Sequence, residues 1–157
     1  MKAALGAFLL LIASVTASFQ ALSLDGVLGV IAPLGFHEET RYAPSYSTNG
    51  FKSIRRGDTE QRVTELIGKP LNMTLLYRTS SCQSVWISDD NVKDVFPDER
   101  CGVKRGDSMT AVLKSLGVPD RISCAYSDSP HGHSYRGRII TFRRGEVVKV
   151  DSGFYVD

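Results

Sequence analysis

Ile54-Arg55-Arg56-Gly57-Asp58-Thr59, followed by Val63 and by Leu66-Ile67-Gly68-Lys69-Pro70, recurs as Val103-Lys104-Arg105-Gly106-Asp107-Ser108, followed by Val112 and by Ser115-Leu116-Gly117-Val118-Pro119. An internal repeat constrains architecture before any single residue is interpreted, because two similar stretches in register call for similar folds. The likeness continues at the same spacing, Met73-Thr74-Leu75-Leu76-Tyr77 matching Ile122-Ser123-Cys124-Ala125-Tyr126. Val85 to Val92 then aligns with Ile140 to Val147, provided that extra residues are allowed around His131 to Gly137.

Each copy opens on Gly-Asp-Thr or Gly-Asp-Ser, residues whose side-chain oxygens accept from the free amides of a first helical turn. Val63, Leu66 and Ile67 in one copy, and Met109, Val112, Leu113 and Leu116 in the other, fall at helical spacing. Gly68-x-Pro70 and Gly117-x-Pro119 end both helices. Asp58 and Asp107 invite reading as a carboxylate pair, but their place at a helix start accounts for the repetition through capping and dipole stabilisation. Beyond each proline the period changes to alternation: Met73, Leu75 and Tyr77, then Val85 and Ile87, then Val92 and Val95 past Asp89-Asp90-Asn91. In the second copy these are Ile122, Cys124 and Tyr126, then Ile140 and Phe142, then Val148 and Val150 past Arg144-Gly145-Glu146. The expectation is an α+β protein of two tandem units, each a short helical element packed on a three-stranded antiparallel sheet whose other face stays open.

Upstream, Met1-Lys2 precedes the apolar run Ala3 to Val15, the pattern of a secretory signal. Val15-Thr16-Ala17 suits cleavage after Ala17, while apolar character persisting to Leu34 also suits an uncleaved anchor. The division along the chain is therefore 1–21 signal peptide or signal anchor, 22–50 an apolar-then-polar linker, 51–100 the first copy and 101–157 the second. The stretch His37 to Gly50 is polar, turn-rich and aperiodic, and reads as a loosely ordered arm.

A chain of 157 residues with a net charge of +2 and interspersed charges lacks the basic footprint of a nucleic-acid binder. Export permits disulfides, and the three cysteines leave one over. Cys124 stands where Leu75 stands in the first copy and reads as a small buried hydrophobe. Cys82 and Cys101 flank a tight hairpin and form the favoured bridge.

Candidate catalytic and metal-binding residues each have a plainer role. Cys124 or Cys82 as nucleophile with His131 or His133 as base would make a Cys-dependent hydrolase, but no oxyanion-forming glycine turn surrounds either cysteine. Asp128, His131 and His133 fall in a Pro-, Gly- and Ser-rich hairpin loop, and His37, Glu38 and Glu39 at a charged juncture; both are read as solvated, with no metal site and no cofactor expected. Strand phase gives the sharper signal. If Val85 and Ile87 face the helices, Trp86 points to the open face with Thr74, Leu76 and Arg78, and the second copy adds Arg138, Thr141 and Arg143 on or near the matching surface. Trp, Leu and Arg together are the composition of protein-interface hot spots; Trp86 packed between the copies is the plainer alternative. Arg138, Arg143 and Arg144 also suit phosphate contact at a membrane surface.

The Gly-x-Thr/Ser start, the Val four residues on and the Leu/Ile-Gly-x-Pro finish, followed by Arg138, Ile140, Phe142, Gly145 and Val148 in a hairpin, resemble the BamE (SmpA/OmlA) domain of outer-membrane assembly proteins. Used twice, the pattern is similar to the architecture of the β-lactamase inhibitory protein. The resemblance covers most of Phe51 to Val156. It implies an exported, non-enzymatic binding module in the periplasm or cell envelope, with an envelope protein as partner and membrane association through the N-terminal segment; a secreted enzyme inhibitor is the alternative. Unlike that domain's usual setting, this chain carries two copies and no cysteine near its leader.

Overall fold

The computed structural model describes residues 22, 24–31, 35, 37–78, 82–96 and 101–156; the expected signal segment, 1–21, lies outside the described residues. Among the described residues, four helices and eight strands follow in order: α1 (24–31), β1 (Arg41–Tyr42), α2 (Thr48–Ser53), α3 (Glu60–Ile67), β2 (Asn72–Leu76), β3 (Ser84–Ser88), β4 (Asn91–Phe96), α4 (Met109–Leu116), β5 (Arg121–Ala125), β6 (Ser127–Asp128), β7 (Tyr135–Arg143) and β8 (Glu146–Tyr155). The class is α+β, with one antiparallel sheet in the order β4-β3-β2-β5-β7-β8 and a small one formed by β1 and β6.

The repeated motif builds the same local structure twice. Thr59 Oγ1 accepts from the Arg62 amide and Ser108 Oγ from the Ala111 amide, both at 3.2 Å, each such cap contributing about 1 kcal/mol. The aspartates do something other than cap. Asp58 accepts from the Arg55 amide at 2.7 Å and Asp107 from the Lys104 amide at 2.8 Å, closing the turn that precedes each helix. Gly68 and Gly117 end the helices at φ +75 and +76, ψ −158 and −162, a conformation essentially reserved for glycine.

At the centre of the sheet Thr74 pairs with Ser123, its own counterpart in the repeat, so an approximate twofold axis passes between β2 and β5. Working outward in register, Val95, Val85, Leu75, Ile122, Phe142 and Val147 form one row across all six strands, and Asp94, Trp86, Thr74, Ser123, Thr141 and Lys149 form the adjacent row on the opposite face. Both hairpins carry a bulge at equivalent places, beside Trp86 and beside Thr141.

The packing departs from two self-contained units. Helix α3, with Val63 and Ile67 of the first copy, lies in one core with Cys124, Tyr126, Ile140, Phe142 and Val147 of the second. Val103 and Val112 around α4 lie in the other core with Leu75, Val85, Ile87, Val92 and Val95 of the first. The backbone shows why: the turn after α3 is held across the axis by Leu71 N–H to Ala125 O, and the turn after α4 by Asp120 N–H to Leu76 O. Each helix start is likewise tied to the other copy's hairpin. Gly57 and Glu60 donate to Val147 and Gly145, and Gly106 and Met109 donate to Val92 and Asp90. The expected pairing of each helix with its own three strands is thus replaced by a crossed one.

The arm before the first copy is ordered, not loose. Arg41 and Tyr42 pair with Asp128 and Ser127, Ala43 N–H reaches Tyr126 O at 2.9 Å, and Ser47 caps α2 through the Gly50 amide at 3.1 Å. Phe51 of α2 is buried in the core of α3, so the arm closes one end of that core.

Candidate functional site

Helices cover one face of the six-stranded sheet, and on the other the alternation leaves polar side chains interrupted by a few large apolar ones. Trp86 is 46% exposed and Phe96 58%. Leu76, half-buried on β2, is the register partner of Ser84, which in turn pairs with Phe96. At this end the surface is aromatic and aliphatic, bounded by Asp94, whose carboxyl is held below the usual range by its hydrogen bond from Arg105 at 2.9 Å.

Past Leu76 the character changes. Asp120 takes ion pairs from Arg78 at 3.0 Å, Arg143 at 3.5 Å and Arg121 at 3.7 Å, three guanidiniums for one carboxylate, which leaves surplus positive charge. Beside this cluster a shallow depression of about 460 Å³ is lined by Leu76, Arg121, Ser123, Thr141, Lys149 and Arg56. Twofold equivalence makes the contrast plain: Trp86 in one half occupies the place of Thr141 in the other, and Asp94 that of Lys149. The backbone is symmetric here and the chemistry is not, so the face presents a direction to whatever lies across it.

No protein-family model, curated protein or solved structure matches this chain.

Of the residues selected from sequence, Trp86, Leu76, Arg78, Thr141 and Arg143 share this region, with Thr141 almost buried between its neighbours. Arg138 does not. It shares strand phase with Ile140, lies on the helix side at 2% exposure, and donates to Asp25 at 2.5 Å and to Tyr46 Oη at 3.1 Å. An odd separation from Thr141 along a strand puts the two on opposite faces. Arg121, Lys149 and Phe96 went unselected, although each follows from the same phase once the register is known.

Cys82 and Cys101 meet at the end of the β3–β4 hairpin, where burial, and after it a side-chain hydrogen bond with Cys101, raises the Cys82 thiol to about 12. Both belong to or border the core of α4. Cys124 is buried, and its thiol is pushed up to about 12, mainly by burial. Such a thiol stays protonated at neutral pH, opposite to the lowered pKa that activates a nucleophile.

The two histidine-bearing segments, weighed separately from sequence, meet in space. His37 and His133 stack edge-to-face at 4.6 Å, His131 stands 6.4 Å from His133, and His131 Nδ1 contacts the Glu39 carboxylate at 2.9 Å. Among the described residues no group of three His, Cys, Asp or Glu is arranged to hold a metal ion. The contact joins the arm to the β6–β7 loop.

Proposed function

We propose that this chain is an exported, non-enzymatic binding module of the bacterial cell envelope that engages a protein partner across the open face of its sheet. The observation that carries the reading is the exposed pair Trp86 and Phe96 beside Leu76, next to three arginines that share one aspartate. Half-exposed aromatics flanked by arginine match the anchor-and-rim composition of interfaces whose binding energy sits in a few residues. Two copies of a BamE-like motif merged into one sheet give that face its width, and the chemical difference between its halves gives a partner a single orientation. The BamE-like character of each repeated motif is part of this proposal.

The test is chemical cross-linking in intact cells followed by affinity capture, comparing the natural chain with Trp86→Ala. Loss of one specific cross-linked partner, with an unchanged thermal midpoint, is the expected result, since a central anchor costs about 2 kcal/mol or more when truncated. Retention of the same partner at the same yield overturns the open-face assignment.

A further inference from the structure

A helix on the surface of a soluble domain turns its apolar side inward. Helix α1 does so only through Leu24, which packs against the core of α3; its other apolar side chains point away. Asp25 and Gly29, one turn apart, face the domain and are buried, whereas Val27 is 66% exposed, Leu28 48%, Val30 37% and Ile31 46%. The inward carboxylate sits between two arginines of β7, accepting from Arg136 Nη1 at 2.7 Å and from Arg138 Nη1 at 2.5 Å, and Gly29 O accepts from Arg136 Nη2 at 3.2 Å. Arg136 is shared with Glu38 at 2.6 Å. A buried network of this kind fixes the rotation of the helix about its own axis, because turning Val27 inward would pull Asp25 from both partners.

We propose that α1 is a lipid-facing helix, lying in the surface layer of a membrane with Val27, Leu28, Val30 and Ile31 against the acyl chains and Asp25 clasped by the protein. The occupant follows from the sequence on either side. Asp25 is the only charged residue between Lys2 and His37, so α1 continues the apolar leader, and the one group that lipid would reject is the one the domain neutralises. In this proposal α1 lies in the plane of the surface layer, its charged residue turned to the protein and its apolar residues to the acyl chains; among the described residues no helix is long and apolar enough to cross a membrane. This contact is separate from whatever engages the open face, and it would hold the domain against the bilayer through β7.

The test uses the full-length protein with vesicles of phosphatidylethanolamine and phosphatidylglycerol, read by amide hydrogen exchange. Vesicles are expected to slow exchange in 27–31 by about tenfold or more, and Val27→Glu with Ile31→Glu is expected to abolish that slowing while leaving exchange in β2 and β5 unchanged. The leader is common to both proteins, so its own insertion does not affect the comparison. Equal exchange of 27–31 with and without vesicles overturns the proposal, as does slowing that requires only higher protein concentration, which would assign the face to a second copy.

Discussion

Replacing Ile67 by Ala tests the crossed packing at its most exposed consequence. Ile67 belongs to the first copy, is fully buried, and shares its core with Cys124, Tyr126, Ile140 and Phe142 of the second. Truncation removes three heavy atoms from a site with no solvent access, for which losses of about 2–5 kcal/mol are usual. A value of about 3 kcal/mol is expected, because α3 is short and tied at both ends across the axis, which limits collapse around the cavity. Urea unfolding followed by circular dichroism should remain one transition at a lower midpoint. Native-state hydrogen exchange supplies the decisive reading: amides of β5 and β7 in the second copy should exchange on the order of 100-fold faster, as should those of β2 and β3. If Ile67→Ala loosened only the first copy, or split unfolding into two transitions, the crossed arrangement would be refuted.

Three further outcomes follow. Asp25→Ala leaves Arg138, whose side chain is 3% exposed, without its anion, and should cost about 3 kcal/mol in urea unfolding, as loss of one partner of a buried pair does. Asp90→Gly should raise the thermal midpoint by a few degrees, since Asp89 and Asp90 both sit at positive φ, 51 and 59, where the equivalent turn has Arg144 and Gly145; relief of left-handed strain is worth about 1 kcal/mol. Alkali should destabilise the fold through Cys124, whose thiol is raised from 9.0 to about 12. The folded state keeps its proton while the unfolded state loses it, so this contribution is complete below pH 9 and lost progressively as pH rises to 12. Cys124→Val should flatten that part of the urea-midpoint profile.

Much of the local structure was legible because it is written in residues whose effect is short-range. Thr59 and Ser108 start helices, Gly68 and Gly117 stop them, and alternation from Met73 onward marks strands, each acting over three or four residues. What sequence does not display is which surface a helix covers. Val63 and Ile67 advertise an apolar stripe, but the strands of either copy offer a matching one, and only the tertiary bonds of Leu71 and Asp120 across the axis choose between them. Arg138 was legible in part: its odd separation from Thr141 along one strand sets it on the other face, while its partner Asp25 lies 113 residues away in a segment read as linker. The meeting of His37 with His133 was hidden for the same reason. On the open face Trp86, Leu76, Arg78 and Arg143 followed from phase, but Phe96, Arg121 and the convergence of the arginines on Asp120 required the pairing register.

The claim on which the functional account rests is that a partner lies across the open face, and placing a photoactivatable residue at Thr74, in the middle of the open-face row, tests it most directly. A matched protein carries the same residue at Gln61, exposed on α3 on the helix-covered side. Illumination of living cells should give a discrete adduct of the chain with one envelope protein from position 74 and none from position 61. Adducts from position 61 alone, or none from position 74 in cells where the protein is exported and folded, would contradict the account.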